Sequence, residues 1–235
     1  MISTDTTSEE QWLLKRWGTF SASQIHKILS KGVGEMFGAG AKSYIEEVAI
    51  ESYTMFSMDE NVESYAMKMG KVNEAACFGE YARLLNLPGM VYYGGSNPVF
   101  KEFDKDSGCS PDAVLPIDAS NESIISFGAE FKNNQRKQHF KDLRLIADQY
   151  DIKKEHIDDY SQCQFSMMCY KVDLWHWVSR NEYFPAKDRM LIIEMKEDKP
   201  FQDNLQVRLM MAQKVKRRII EQRMNDYKGE IDFKN

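Results

Sequence analysis

The spacing of apolar residues switches repeatedly along the chain between helical spacing and alternation, and this pattern limits most strongly which folds the chain can adopt. Up to the Pro88-Gly89 turn, apolar residues recur at helical spacing, which predicts helices at about 41–53 and 63–85. From about 90 to 132 they alternate instead, as in half-buried strands. Helical spacing then returns, followed by two strands and a last helix. This order predicts an α/β fold with helices flanking a central mixed sheet.

The individual elements follow from the same patterns. The capping box Ser8-Glu9-Glu10-Gln11 opens a short helix that Gly18 stops, and Ser21 or Ser23 can cap a second helix that runs to Gly32. Later helices are predicted at about 137–146, 156–170 and 201–223. Strands are predicted at about 90–93, 98–103, 113–117, 124–132, 173–179 and 190–196, with 118–123 as a hairpin connection.

Length and composition fit a single domain over residues 1–235. No stretch approaches the ~20 consecutive apolar residues of a membrane span, and the acidic N-terminus is unlike a signal peptide. We therefore expect no membrane partner and a cytoplasmic location, in the host cell if the chain is phage-encoded. The four cysteines form no CxxC pair and are expected to be reduced thiols, most of them in the core.

The net charge of −5 excludes a generally basic surface but not a nucleic-acid partner. Positive charge is unevenly spread, with clusters at 132–141 and 214–218. Such charge could line a channel for DNA, but the composition of each cluster favours a solvated helix face.

Two acidic residues and a lysine fall at the ends of neighbouring predicted strands. Asp112 follows Pro111 just before one strand, and Glu130 and Lys132 end the next, on one face because side chains alternate. Carboxylates bind Mg²⁺, and the metal lowers the pKa of a bound water. The lysine can orient or help deprotonate that water and stabilise negative charge. The pattern predicts Mg²⁺-dependent phosphodiester hydrolysis, with Mn²⁺ as a possible substitute. A turn aspartate and surface charges are the alternative.

Further motifs surround this one in a defined order. They are Trp12-x3-Arg16-x-Gly18, Ser21-Ala22-Ser23, Gly70-Lys71-Val72-Asn73-Glu74, Cys109-Ser110-Pro111-Asp112 and Ser161-Gln162-Cys163-Gln164-Phe165-Ser166-Met167. With Glu130-x-Lys132, they make residues 12–196 resemble the phage lambda exonuclease-like, YqaJ-type viral recombinase family of PD-(D/E)xK nucleases. The resemblance implies a restriction-endonuclease-like core.

The same resemblance implies an activity and partners. It implies a 5′→3′ exonuclease that degrades one strand of linear double-stranded DNA from its ends. It also implies a homo-oligomer, a trimeric ring around the DNA, that works with a single-strand annealing protein in phage recombination. An endonuclease of the same fold and a DNA-end-binding protein without cleavage remain alternatives.

Roles for individual residues also come from the resemblance. The metal ligands would be Asp112, Glu130, Glu74 and the backbone carbonyl of Phe131, with Lys132 activating water and Gln162 positioning groups in the site. The 5′-phosphate pocket would comprise Arg16, Ser23 and Ser110, and Met67 would wedge between the strands at the duplex end. Ser23 near a helix N-terminus suits an anion, to which Arg16 could add a bidentate contact.

Several of these residues have other interpretations. Glu74 could be a solvated helix carboxylate, Arg16 could pair with Glu9 or Glu10, and Met67 could pack in the core. Gln162 and Gln164 compete for one role, and Trp12 is expected to be structural.

The sequence also departs from the family pattern in two places. Seventeen residues separate Asp112 from Glu130, more than in the lambda enzyme, so the hairpin should be extended. Asn133-Asn134 replaces the family's Cys-Pro after the lysine.

Overall fold

The computed structural model describes residues 8–58, 65–94, 97–118, 121–225, 229, 231 and 233, and leaves the side chains of 65–72, Ser8 and Ser123 undescribed. The helices are α1 (Ser8–Arg16), a 3₁₀ helix (Ala22–Leu29), α2 (Ala39–Thr54), α3 (Tyr65–Leu84), α4 (Arg136–Leu145), α5 (Gln149–Glu155), α6 (Ile157–Tyr170) and α7 (Lys199–Met224). The strands are β1 (Phe20–Ser21), β2 (Val91–Tyr92), β3 (Lys101–Asp104), β4 (Ser107–Cys109), β5 (Ala113–Asp118), β6 (Asn121–Lys132), β7 (Leu174–Arg180) and β8 (Met190–Lys196).

The larger sheet has five strands in the order β2-β5-β6-β7-β8. Strands β6 and β7 run parallel, and the other neighbours are antiparallel. One face packs on α3, where Tyr81 lies in a cluster with Phe127 and Phe131 of β6. The other face carries the fully buried Trp175 and Trp177 of β7, in the cluster that includes α6. The predicted α/β fold with a mixed sheet flanked by helices is confirmed.

A smaller sheet has the order β1-β4-β3 and was not predicted as such. Strand β1 pairs in parallel with β4, with Phe20 opposite Ser107 and Ser21 opposite Gly108. These strands have only two and three residues, too few for a period-two pattern to be recognised. Their pairing brings the segment after Ser21 beside the segment after Cys109.

The second helix is a 3₁₀ helix, and Ser23 is not its cap. Ser21 occupies the N-cap position without a capping hydrogen bond from its side chain, and Ser23 lies within the helix. Ala22, Ile25 and Ile28 are all buried, and a repeat of three residues per turn keeps them on one face. The apolar spacing of three fits this 3₁₀ helix better than the predicted α-helix.

Two other boundaries differ from the predictions. Asp118 pairs with Asn121, so the strands continue into the segment 118–123 that was predicted as a hairpin connection. Helix α5 was not predicted; its N-cap is Asp148, whose side chain accepts hydrogen bonds from the backbone N–H groups of Tyr150 and Asp151. Seven residues are too few to establish a helical period.

Side chains of helix α7 donate hydrogen bonds to backbone carbonyls in the segment 18–30 near the N-terminus. The buried Arg208 donates to the backbone carbonyls of Ile28 and Ser30 at 2.6 and 2.8 Å. Lys216 donates to the Gly18 carbonyl at 2.6 Å and is only 3% exposed. Within the basic cluster 214–218, Lys216 is therefore a buried structural residue and does not belong to a solvated face.

All four cysteines are buried free thiols. Among the described residues, the helices are too short or too polar to cross a membrane.

Candidate active site

Antiparallel pairing of β5 and β6 places Asp112 beside the end of β6. Ala113 is opposite Ala129, and the Phe131 backbone N–H donates to Asp112 Oδ2 at 2.6 Å. Glu130 and Lys132 project from the opposite face of β6 to Phe131, because side chains alternate along a strand. The start of β5 and the end of β6 thus form one site at the ends of these two neighbouring strands.

Glu130, Lys132 and Gln162 are joined by three hydrogen bonds. Lys132 Nζ donates to Glu130 Oε1 and to Gln162 Oε1, each at 3.0 Å, and Gln162 Nε2 donates to Glu130 Oε1 at 2.6 Å. Gln164 instead donates to the Lys196 carbonyl at 2.8 Å. Of the two glutamines that competed for one role, Gln162 is the one in this site.

Glu74 reaches the site from α3. It accepts a hydrogen bond of 3.0 Å from the hydroxyl of Tyr92, a residue that the sequence did not single out. The absence of a side chain at Gly94 leaves room for this contact, since a Cβ there would collide with Glu74 Oε1 and the Tyr92 hydroxyl. An aromatic residue two positions before a glycine is too common a pattern to have identified this contact in advance.

Burial and neighbouring carboxylates raise the pKa of Asp112 and of Glu130. Burial, and then the charges of Glu130 and Glu74, raise the pKa of Asp112 well above its usual range. Burial also raises the pKa of Glu130, although Lys132 opposes this shift. Burial alone would lower the pKa of Lys132, but Glu130, Asp159 and Asp112 outweigh it and keep the ammonium protonated.

This arrangement fits a divalent cation. Glu130 Oε2 is buried and has no hydrogen-bond partner among the described residues, which is costly for a carboxylate oxygen unless something binds it. Three acidic side chains in mutual repulsion gain stability when a hard cation neutralises them. The donor set of Asp112, Glu130 and Glu74 therefore suits Mg²⁺ chemically. A contribution from the Phe131 carbonyl remains a prediction.

A second group of predicted residues meets at the N-terminal side. Arg16 donates to the Ser23 hydroxyl at 3.5 Å, and the Ser21 and Ser23 hydroxyls are 3.3 Å apart. Trp12 Nε1 donates to the Ser110 hydroxyl at 2.8 Å, and the Arg16 guanidinium lies 4.5 Å from the centre of the Trp12 ring. Trp12 thus connects Arg16 to Ser110, a contact beyond the purely structural role expected for it.

Met67 lies on α3, but its side chain is outside the described part of the structure. The wedge and the core interpretations of Met67 both stay predictions.

Comparison with known proteins was made by sequence and by structure. No family model and no curated protein matches the sequence. The structure is similar to an alkaline exonuclease, LHK-Exo, from Laribacter hongkongensis, with a TM-score of 0.74 and 16% identity over 92% of this chain and 97% of that one. The structure of LHK-Exo in complex with dAMP gives 0.70 and 16%, over 92% and 98%. A phage-related exonuclease from Haemophilus somnus 129PT gives 0.63 and 15%, over 87% and 96%.

The chain has the fold of these exonucleases. The similarity covers 92% of this chain in the first comparison and 87% in the third, so the fold is shared over most of the chain. This exonuclease fold accounts for the way the chain brings Glu74, Asp112 and Gln162 from three separate elements to one edge of the sheet.

Proposed function

We propose that this protein is a Mg²⁺-dependent 5′→3′ exonuclease that degrades one strand of linear double-stranded DNA from its ends. The observation that carries the proposal is the cluster of Asp112, Glu130, Lys132 and Gln162, with Glu74 facing it. Carboxylates that can hold a divalent cation, next to a protonated lysine, are the groups that phosphodiester hydrolysis needs. The exonuclease fold supports the same reaction class.

In this proposal each side chain of the site has a separate role. When bound, the cation would polarise the phosphate and activate a water molecule. Asp112 and Glu130 would hold it, Asp112 fixed by the Phe131 N–H and Glu130 by Gln162. Lys132 would present its positive charge to the oxygen on which negative charge develops, because its ammonium is already fixed by two acceptors in this site.

Preference for DNA ends would come from the group formed by Trp12, Arg16, Ser23 and Ser110. A guanidinium and hydroxyl groups are suitable donors to a terminal phosphate. The cluster of Arg16 and Ser23 would capture the 5′-phosphate and so set the polarity of digestion. LHK-Exo was crystallised with dAMP, a nucleotide of the class that a DNA exonuclease releases, which supports DNA as the substrate.

The partners implied by the resemblance complete the proposal. A trimeric ring would keep the enzyme on its DNA, and a single-strand annealing protein would bind the strand that digestion exposes. Light scattering of the purified protein tests the first of these, and a pull-down with a purified single-strand annealing protein tests the second.

One assay separates this function from its alternatives. Purified protein is given linear duplex DNA with 5′-phosphate or 5′-hydroxyl ends and, separately, covalently closed circles, with Mg²⁺ or with EDTA. An exonuclease consumes the linear DNA in Mg²⁺ and leaves the circle intact. Nicking of the circle would indicate an endonuclease. Binding to DNA ends without metal-dependent cleavage would indicate an end-binding protein.

Replacing Arg16 with alanine should reduce the preference for a 5′-phosphate about 10- to 150-fold, since a charge-assisted contact is worth roughly 1.5–3 kcal/mol. The measurement is the ratio of initial rates on 5′-phosphate and 5′-hydroxyl duplexes. Lys15→Ala is the matched control, because Lys15 is the exposed neighbour on the same helix. An unchanged ratio in Arg16→Ala would exclude Arg16 from the phosphate pocket.

A further inference from the structure

Asp159, on the first turn of α6, makes a contact with the catalytic lysine that the sequence motifs do not include. Its Oδ1 lies 3.1 Å from Lys132 Nζ, and its side chain is 14% exposed. Its Oδ2 accepts a hydrogen bond of 2.9 Å from the indole N–H of Trp177, a fully buried residue. The Asp159 carboxylate is thus fixed on one side by the core and binds the lysine on the other.

The position of Trp177 explains what holds the Asp159 carboxylate in place. Trp177 is directly opposite Glu130 in the parallel pairing of β6 with β7, so its side chain lies on the same face as Glu130 and Lys132. The indole cannot move without disturbing the core, and its N–H would be buried without a partner if Asp159 were absent. Asp159 therefore connects the packed sheet to the Lys132 ammonium group.

Asp159 also belongs to an acidic cluster, which has another possible use. Its carboxylate, that of Asp158 and the His156 ring offer atoms within 4.8 Å of one another, close enough to hold a metal ion. However, both Asp159 oxygens are already engaged, and His156 Nε2 is 2.9 Å from Asp142 Oδ1. These contacts favour a structural use of the cluster over a second metal site.

We propose that Asp159 is a positioning residue, which holds the Lys132 ammonium group at the point where the scissile phosphate binds; this inference rests on the proposed nuclease function. A lysine side chain is long and flexible, and a displacement of about 1 Å in a catalytic group can cost about 100-fold in rate. Glu130 and Gln162 hold Nζ from two directions. Asp159 supplies a third contact, and it is the one of the three that is anchored to the buried indole of Trp177.

The test compares Asp159→Asn with Asp158→Asn. Asparagine keeps the size of the side chain, but it has an acceptor oxygen at only one of the two carboxylate positions and an NH₂ donor at the other, so it cannot accept from both Trp177 and Lys132 in this geometry. The control removes the same charge from the adjacent, exposed residue. We expect the single-turnover cleavage rate in Mg²⁺ to fall about 10- to 100-fold in Asp159→Asn and to stay within about twofold in Asp158→Asn. The Kd for duplex DNA in Ca²⁺ and the Tm should change little in either variant.

Other outcomes would overturn the inference. Equal cleavage rates in the two variants, with an active wild type, would show that Asp159 does not position the lysine and would leave the proposed function intact. A parallel loss of DNA binding and Tm would reduce Asp159 to a structural residue. An inactive wild type would refute the nuclease function and this inference together.

A conservative variant covers the case in which Asp159→Asn does not fold. Asp159→Glu keeps the charge and both acceptor oxygens, so it should cleave at least several times faster than Asp159→Ser, which keeps neither. Equal rates for these two folded variants would also refute the positioning role. A crystal structure of either variant adds a readout besides activity, since Lys132 Nζ should be displaced in Asp159→Ser and held in Asp159→Glu.

Discussion

Replacing Lys132 with alanine should abolish cleavage, lowering the single-turnover rate at least about 1,000-fold, while the Kd for duplex DNA in Ca²⁺ stays nearly unchanged. Removing one preorganised donor to a developing oxyanion costs about 100- to 1,000-fold in other enzymes, and Lys132 is in addition a full charge in a partly buried site. Affinity for DNA depends mainly on the sum of many phosphate contacts, so the loss of one cation changes it little.

The matched control for this variant is Lys137→Ala. Lys137 is exposed on α4, only five positions along the chain, and its removal costs the same formal charge. It should leave the cleavage rate within about twofold, since surface substitutions away from special contacts are usually near neutral. If Lys132→Ala lost DNA binding and cleavage to the same degree, the lysine would be a binding residue, and its assigned catalytic role would be wrong.

Replacing Asp112 with asparagine should also abolish cleavage, and in addition it should prevent Mg²⁺ from stabilising the fold. In the wild type, Mg²⁺ at 100 times its Kd should add about 2.7 kcal/mol to the free energy of unfolding, which is a rise in Tm of roughly 5–10 °C. An uncharged amide is a poor ligand for Mg²⁺ beside Glu130 and Glu74, so the variant should lose most of this rise. Differential scanning fluorimetry with Mg²⁺ or EDTA measures both values.

Asp112→Asn should also change how Tm depends on pH, and the raised pKa of Asp112 determines the direction of this change. Burial and the neighbouring carboxylates raise the folded-state pKa of Asp112, so in EDTA its contribution to stability is greatest at low pH and is lost as pH rises through that pKa. Because asparagine does not ionise, the metal-free Asp112→Asn variant does not lose stability in this way as the pH rises. Its Tm relative to the wild type should therefore increase as the pH rises from the ordinary pKa of an aspartate through the raised pKa of Asp112.

Asp118→Asn is the control for both measurements on Asp112. Asp118 is an exposed aspartate at the far end of β5, so the variant should keep full cleavage and the full response to Mg²⁺. A wild-type Tm that does not respond to Mg²⁺ at any pH would contradict a metal site formed by Asp112 and Glu130.

The sequence alone determined the class of fold and the centre of the site. Alternation along a strand is a property of the backbone itself, so the spacing Glu130-x-Lys132 placed both side chains on one face before any contact was known. The hairpin likewise required Asp112, just before β5, to meet the end of β6, because antiparallel neighbours are joined by a short connection. Both inferences depend on residues close together in sequence.

Only the tertiary structure decided which distant residues complete the site. Trp12 and Ser110 are 98 positions apart, and their hydrogen bond depends on the parallel pairing of β1 with β4, two strands too short to leave a pattern. The contact of Asp159 with Lys132 depends on how α6 packs across β7, where Trp177 holds the carboxylate.

The same limit explains why the structural position of Ser23 differs from the prediction. Ser23 was expected at a helix cap, but it lies inside a 3₁₀ helix that faces Arg16, because burial of Ile25 and Ile28 selects three residues per turn. Local spacing fixes which face of an element a residue occupies. It does not determine which other element packs against that face, since that depends on long-range packing throughout the domain, and this packing selected Tyr92 for Glu74 and Asp159 for Lys132.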